Sequence, residues 1–188
     1  MSRAQSGTGS NGDVLSHVIS VAHFLTNSSI SRVVGDYTIV HKERADSQAA
    51  GQTKIVDNDD MVAALIHFEN GVKGHIGASR VTWGRKCGLR WELHGTEGTI
   101  MYDQERLNEL KLFTRQDNPA TDGFRTILTG PLHEPYAAFL PNGGHSLGYM
   151  DVKICELHDL LSAIEANSQV WPSFSDCLLY TSDAADEE

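Results

Sequence analysis

Two runs of apolar and β-branched residues, 61–68 and 72–81, are separated only by Glu69-Asn70-Gly71. Three residues are too few for a crossover to a parallel strand, which takes a dozen or more. The two runs must therefore fold back on each other, and an Asn-Gly step between such runs is the strongest short-range hairpin signal. The arrangement recurs at 89–94 and 99–103, which flank Gly95-Thr96-Glu97-Gly98. Further strands are expected at 32–41, 109–114 and 124–128, while the polar stretch 42–60 reads as a crossover.

Helical periodicity appears twice. Asp13 precedes Val14, Val18, Val21, Ala22 and Leu25, spaced for one helix face, and Asn27-Ser28-Ser29 ends the pattern. An Asp in that place accepts hydrogen bonds from free backbone N–H groups and offsets the helix dipole. A second helix is expected over 145–167, where Leu147, Met150, Ile154, Leu157, Leu160, Leu161 and Ile164 follow the spacing of a buried face. Between strands and helix, 130–144 is a Pro/Gly-rich loop. The fold class is thus α+β, an open, mostly antiparallel sheet covered on one face by helices. No βαβ repeat and no GxGxxG after a strand occur, so the sequence encodes no dinucleotide fold. The first twelve residues read as loop and the last twelve, CLLYTSDAADEE, as a disordered tail.

Charge narrows the partners. With 25 acidic against 15 basic residues the formal net charge is −10, which argues against nucleic acid and anionic membranes. Three scattered cysteines form no CxxC pair and suit a reducing compartment. With no signal-like or membrane-length apolar run, the expected location is the cytoplasm.

Among groups that carry chemistry, Asp13 and His17 stand four residues apart, which on an α-helix puts them on one face. A carboxylate beside a histidine fixes its tautomer and stabilises the imidazolium, as a base for hydroxyl protons requires. The same spacing equally describes a helix cap followed by a half-buried histidine. Trp83 and Arg85, in the run Arg80-Val81-Thr82-Trp83-Gly84-Arg85-Lys86, are candidate contacts for substrate hydroxyls or a carboxylate, or else belong to a solvated turn. His145, after Asn142-Gly143-Gly144, either reaches a ligand or simply enters the second helix. The other histidines lack HxH or HExxH spacing, so no metal site is expected, and no GxSxG supports a hydrolase.

The stretch Gly12-Asp13-Val14-Leu15-Ser16-His17-Val18-Ile19-Ser20 resembles the G-D-x-G-x-H-x-x-D signature of the Gfo/Idh/MocA oxidoreductases, the family of glucose–fructose oxidoreductase and inositol dehydrogenase. In register behind it, residues 59–72 resemble that family's strand–Asn-Gly–strand hairpin, and 74–80 its G-x-I-x-A-S-R strand. Residues 92–100 resemble its E-x-x-G-x-x-G-x-I hairpin, so the likeness extends over about 7–176. It implies a fold similar to the substrate domain of glucose–fructose oxidoreductase and to dihydrodipicolinate reductase-like folds. It also implies an N-terminal Rossmann domain for NAD or NADP, a sugar, inositol or related polyol as substrate, and a homo-oligomer built through the sheet. In that reading His17 moves the proton of the substrate hydroxyl and Asp13 orients and tunes it. Leu15 stands where the family has Gly, and Ser20 where it has Asp.

On this resemblance 1–12 is a loop remnant, 13–176 the substrate and oligomerisation domain, and 177–188 a non-native tail. The Rossmann domain and its E-K-P lysine are expected to be missing, leaving the fragment inactive by itself. The alternative is a non-catalytic binding or assembly module that uses the open sheet face, because large apolar patches are rarely left in water.

Overall fold

A computed structural model describes residues 8–46, 49–115 and 119–176. The expectations for 1–7 and for the tail 177–188 fall outside the described residues. The chain forms two compact units, one of Met1–Gly84 with Pro172–Glu188 and one of Arg85–Trp171.

In the first unit a π-helical turn, Asn11–Leu15, runs into α1, Ser16–Thr26. Five strands come next: β1 Ile30–Thr38, β2 Glu43–Ala45, β3 Thr53–Ile55, β4 Met61–Phe68 and β5 Lys73–Ser79. β1, β4 and β5 pair antiparallel in the order β1-β4-β5, with Val34 opposite Leu65 and Leu65 opposite His75. β2 and β3 form a small ladder inside the stretch expected as a plain crossover. Three-residue strands with almost no burial leave no alternation for a sequence reading to find.

β4 shows why the sheet faces as it does. Its even positions Val62, Ala64, Ile66 and Phe68 are covered, and its odd positions Met61, Ala63 and Leu65 are exposed, the period-two signature of a strand with one wet face. Ile66 and Phe68 are buried with Leu15 and Val56, each contributing roughly 1.5–3 kcal/mol. α1 and its entry turn pack on β5 and β4, and the His23 ring meets Phe68 edge-on at 6.2 Å. At the hairpin tip Gly71 takes φ 89°, the left-handed conformation that ends a three-residue loop. Asn70 beside it donates from Nδ2 to the Thr26 carbonyl (3.0 Å), and its N–H donates to Ser28 Oγ (3.1 Å). The hairpin therefore grips the last turn of α1, which ends as expected at Asn27, in the left-handed region at φ 47°.

The opposite end of β4 begins with a buried carboxylate. Asp60 is fully buried, and its Oδ2 accepts from the N–H groups of Val40 and His41, both at 2.9 Å. Its Oδ1 accepts from Arg80 Nε (3.0 Å) and from the Arg44 guanidinium. Burial opposes ionisation, but the His41 N–H, the Arg80 hydrogen bond, the Val40 N–H and the Arg44 charge together outweigh it and hold the carboxyl below the usual aspartate range.

The second unit is a meander of β6 Arg90–His94, β7 Gly98–Asp103, β8 Glu109–Thr114 and β9 Arg125–Leu128, antiparallel throughout in that order. Trp91 lies against Tyr102 across β6 and β7, with ring centroids 5.8 Å apart. Asn108 ties the segments after the meander to the turn before β8. Its Oδ1 accepts from Leu147 N–H and Thr129 Oγ1, both at 2.7 Å, and its Nδ2 donates to Leu147 O at 3.0 Å. Leu147, buried with Leu140, is thereby held just before the second helix, α2, Tyr149–Glu165. α2 starts later than its periodicity suggests because Gly148 is extended and donates its N–H to the Asp151 carboxylate at 2.8 Å, capping the helix there. No residue of α2 is buried among the described residues, so the stripe expected to face a core stands open.

Removing the Asp60 carboxylate leaves two guanidinium groups and two N–H groups without their acceptor. Asp60→Ala is expected to lose about 3 kcal/mol in denaturant unfolding at neutral pH. Because the folded carboxyl titrates below the unfolded one, this contribution is complete above the ordinary aspartate value of about 3.9. It fades as pH falls through the lower folded value, so the gap between wild type and variant should narrow in acid. A variant as stable as wild type at neutral pH would refute the arrangement.

Candidate active site

Asp13 and His17 are both exposed on the surface of the first unit, Asp13 inside the π-helical turn and His17 in the first turn of α1. Sequence periodicity expects the helix to begin at Asp13, but helical structure is already present at Asn11. Asp13 is therefore not the cap; its own N–H donates to Gly9 O at 3.2 Å. π-helical turns are rare and occur disproportionately at functional sites. The widened turn also takes Asp13 off the line that regular α-helical spacing would share with His17. Among the described residues neither an ion pair nor a side-chain hydrogen bond joins the two groups, and neither side chain has another such partner. The carboxylate and the imidazole both stand open to whatever occupies the space before them.

The cap that Asp13 does not provide comes from Asp59, fifty residues away from Gly9. Its carboxylate accepts from Gly9 N–H at 3.2 Å and from Asn11 N–H at 2.7 Å, and its carbonyl accepts from Ser10 N–H at 2.9 Å. Nothing in the sequence pairs residue 59 with residue 9. The available signal was the doubled carboxylate Asp59-Asp60 in front of a strand, where one member would have to be buried and answered by distant arginines.

Leu15, where the family signature has Gly, is buried and anchors the turn from beneath. Ser20 is half-buried on α1. Of the other histidines on this unit, His23 is half-buried against Phe68. Burial holds its imidazole below the ordinary histidine value, against the opposing pull of Asp176.

Trp83 lies in the turn after β5, almost completely exposed at 97% and followed by Gly84 at φ 86°. Arg85 and His145 belong to the second unit. Arg85 is already engaged: its Nη1 donates to Glu105 Oε2 at 2.8 Å and lies 3.9 Å from Asp103 Oδ2. The Lys86 N–H donates to Glu105 Oε1 at 2.6 Å, so one carboxylate ties down both residues of the loop. His145 sits outside α2 in the preceding loop, exposed, its Nδ1 3.1 Å from the Asn142 carbonyl. No group of His, Cys, Asp or Glu able to hold a metal occurs among the described residues. No helix of the described residues is long and apolar enough to cross a membrane.

All ladders of the described strands are antiparallel, and the N–H groups of Gly9 and Asn11 at the entry of the first helix are occupied by the Asp59 carboxylate.

The family model described as the GFO/IDH/MocA C-terminal domain matches residues 1–101. Levoglucosan dehydrogenase of Pseudarthrobacter phenanthrenivorans is 36% identical over 181 residues, covering 90% of this chain and 46% of that protein. Among solved structures, an NAD binding oxidoreductase from Klebsiella pneumoniae superposes with a TM-score of 0.88 at 36% identity, over 97% of this chain and 48% of that one. A levoglucosan dehydrogenase in complex with NADH and levoglucosan gives 0.82 at 36% identity, over 94% and 47%. The chain spans about half the length of the relatives it matches.

The Glu105 tether is open to direct test. The Lys86 N–H and the Arg85 hydrogen bond hold the Glu105 carboxyl below the usual glutamate range, so the tether is complete above about 4.3 and is lost as pH falls through the lower folded value. A carboxyl-resolved NMR titration should find that depressed midpoint, and Arg85→Ala should return it part of the way. An ordinary midpoint in the wild type would contradict the tether.

Proposed function

This chain belongs to the Gfo/Idh/MocA family, and from that premise we propose that it is the substrate-side half of an NAD(P)-dependent dehydrogenase acting on a sugar or related polyol. The observation that carries the proposal is the exposed, unpaired Asp13 and His17 at the π-turn entry of α1, inside the matched region. Oxidising a secondary alcohol to a ketone removes the hydroxyl proton and a hydride from the carbon. His17 takes the proton on a ring nitrogen, and the Asp13 carboxylate stabilises the imidazolium so formed when the two unheld side chains turn toward the bound substrate. When bound, the nicotinamide supplies the hydride-accepting carbon. That cofactor is held outside the residues described, by a nucleotide-binding portion of the whole enzyme.

Both side chains are free to turn toward a substrate hydroxyl, because nothing in the described chain holds them elsewhere. Trp83 adds an apolar ring face that suits the C–H surface of a sugar. Arg85 and His145 are weaker candidates, Arg85 because Glu105 already answers its charge. In an enzyme comprising this chain and the cofactor-binding portion, assayed with NAD and levoglucosan first, His17→Asn should lower kcat roughly 10²- to 10⁴-fold while leaving KM nearly unchanged. An undiminished kcat would remove His17 from the chemistry.

A second reading concerns assembly, and a specific surface favours it. On the wet face of the β1-β4-β5 sheet, Val34, Met61 and Leu65 are 58%, 42% and 61% exposed, with Val34 and Leu65 directly opposite each other. The small residues Ala63 and Gly77 face each other beside them, with Asp36 opposite Ala63 and His75 opposite Leu65 on the same face. Such a face suits another copy of itself, so the chain serves as the assembly surface of a homo-oligomer whether or not it also reacts. Light scattering should report an oligomer for wild type and a folded monomer for Leu65→Lys. A monomeric wild type would sink this reading and leave the catalytic one standing.

A further inference from the structure

We propose that Asp59 is a positioning residue for the reaction, acting as a built-in anion that fixes where Asp13 and His17 stand. The inference rests on the catalytic reading of His17 and adds a residue that neither touches the reacting atoms nor lies in the helical signature.

Three successive N–H groups, of Gly9, Ser10 and Asn11, converge on this one residue: two on its carboxylate and one on its carbonyl. A run of N–H groups curved around one point is a concave anion cradle, the kind that elsewhere receives a phosphate. Here the chain fills it itself. The approach leaves no spare room, because a Cβ on Gly9 would lie 2.1 Å from the Asp59 carbonyl oxygen and 2.7 Å from its Oδ1. The turn can close in this way only with glycine at position 9.

Asp59 can hold the turn because it is itself immobile. On one side Asn58 is buried, accepting from Arg80 Nη2 at 3.1 Å and donating from Nδ2 to Thr8 O at 3.5 Å. On the other side Asp60 is locked by two N–H groups and two arginines. Thr8 extends the same clamp, its Oγ1 accepting from Gly12 N–H at 2.9 Å.

The consequence for the site comes from the partners that Asp13 and His17 lack. Neither side chain has a hydrogen-bond or ion-pair partner of its own among the described residues, so only the backbone beneath them sets their positions. That backbone is anchored at its far end by Asn70 on Thr26 and at its near end by Asp59. With the near anchor loosened, the π turn is free to relax toward regular α-helix. Relaxation would rotate Asp13 relative to His17 and move both against the rest of the site. Misplacement on the order of 1 Å can cost about 10²-fold in rate without loss of binding.

The test uses Asp59→Asn, which keeps the size but replaces one acceptor oxygen with a donor. In the described chain, hydrogen exchange at the Gly9 and Asn11 amides should accelerate roughly tenfold or more. In the whole enzyme kcat should fall roughly 10- to 100-fold with KM within about twofold of wild type. Gly9→Ala, which pushes on the same contact from the opposite side, should produce the same split. Unchanged exchange, or faster exchange with kcat and KM both at wild-type values, would overturn the proposal. So would a loss expressed wholly in KM, or the failure of both variants to fold, because a positioning contact leaves the fold intact. His17→Asn in the same assay separates the two claims. If it is inactive while Asp59→Asn runs at the wild-type rate, only the positioning role is lost; if it runs at the wild-type rate, the catalytic reading goes first.

Discussion

The placement of α1 depends on the two ends of β4. Eight strand residues extend over roughly 27 Å, and the sixteen residues of the π turn plus α1 over roughly 24 Å, so strand and helix match in length. Before β4, Asp59 takes the N–H groups of the helix entry; after it, Asn70 takes the carbonyl of the last helical turn. Between those points Ile66 and Phe68 supply the apolar floor on which Leu15 rests. The rotational and axial freedom of the helix is thus removed by hydrogen bonds at its ends, while burial between them supplies the attraction. Burial alone would not suffice, since apolar contact is non-directional and tolerates sliding.

Charge is distributed to the same purpose. The carboxylates of Asp59, Asp60 and Glu105 are each satisfied by N–H groups, with guanidinium groups added at Asp60 and Glu105. Asp60, the most deeply buried, has the fullest set, as the cost of desolvating a charge demands. Asp13 is the contrasting case, a carboxylate left without such partners beside an equally unengaged histidine. Asp59, Asp60 and Glu105 hold backbone N–H groups, whereas the Asp13 and His17 side chains hold none among the described residues.

The exposed apolar surface has a different meaning in each unit. In the first, the exposed face of β4 carries Met61 and Leu65 around the small pair Ala63 and Gly77, between paired strands that add Asp36 and His75. In the second, the open stripe of α2 includes Met150, Ile154, Leu157, Leu161 and Ile164, a spacing of four and three that is ordinarily found facing another element.

The hairpins, both helices and the α+β class were legible in the sequence because local rules decide them. An Asn-Gly step between apolar runs leaves the chain one way to turn, and the period of two in residues 61–68 assigns each side chain to a face. Four residues of spacing and a family likeness named Asp13 and His17 only as candidates. Helix beginnings were not legible, because each is decided by a hydrogen bond. Gly148 with Asp151 starts α2 four residues later than periodicity suggests, and Asp59 starts the first helix earlier. Only the tertiary structure could reveal Asp59, Asp60 and Asn70 as the residues that hold the two ends of the first helix and the start of β4. Their partners lie sixteen to fifty residues away, and a hydrogen bond over that separation leaves no period in the sequence to read.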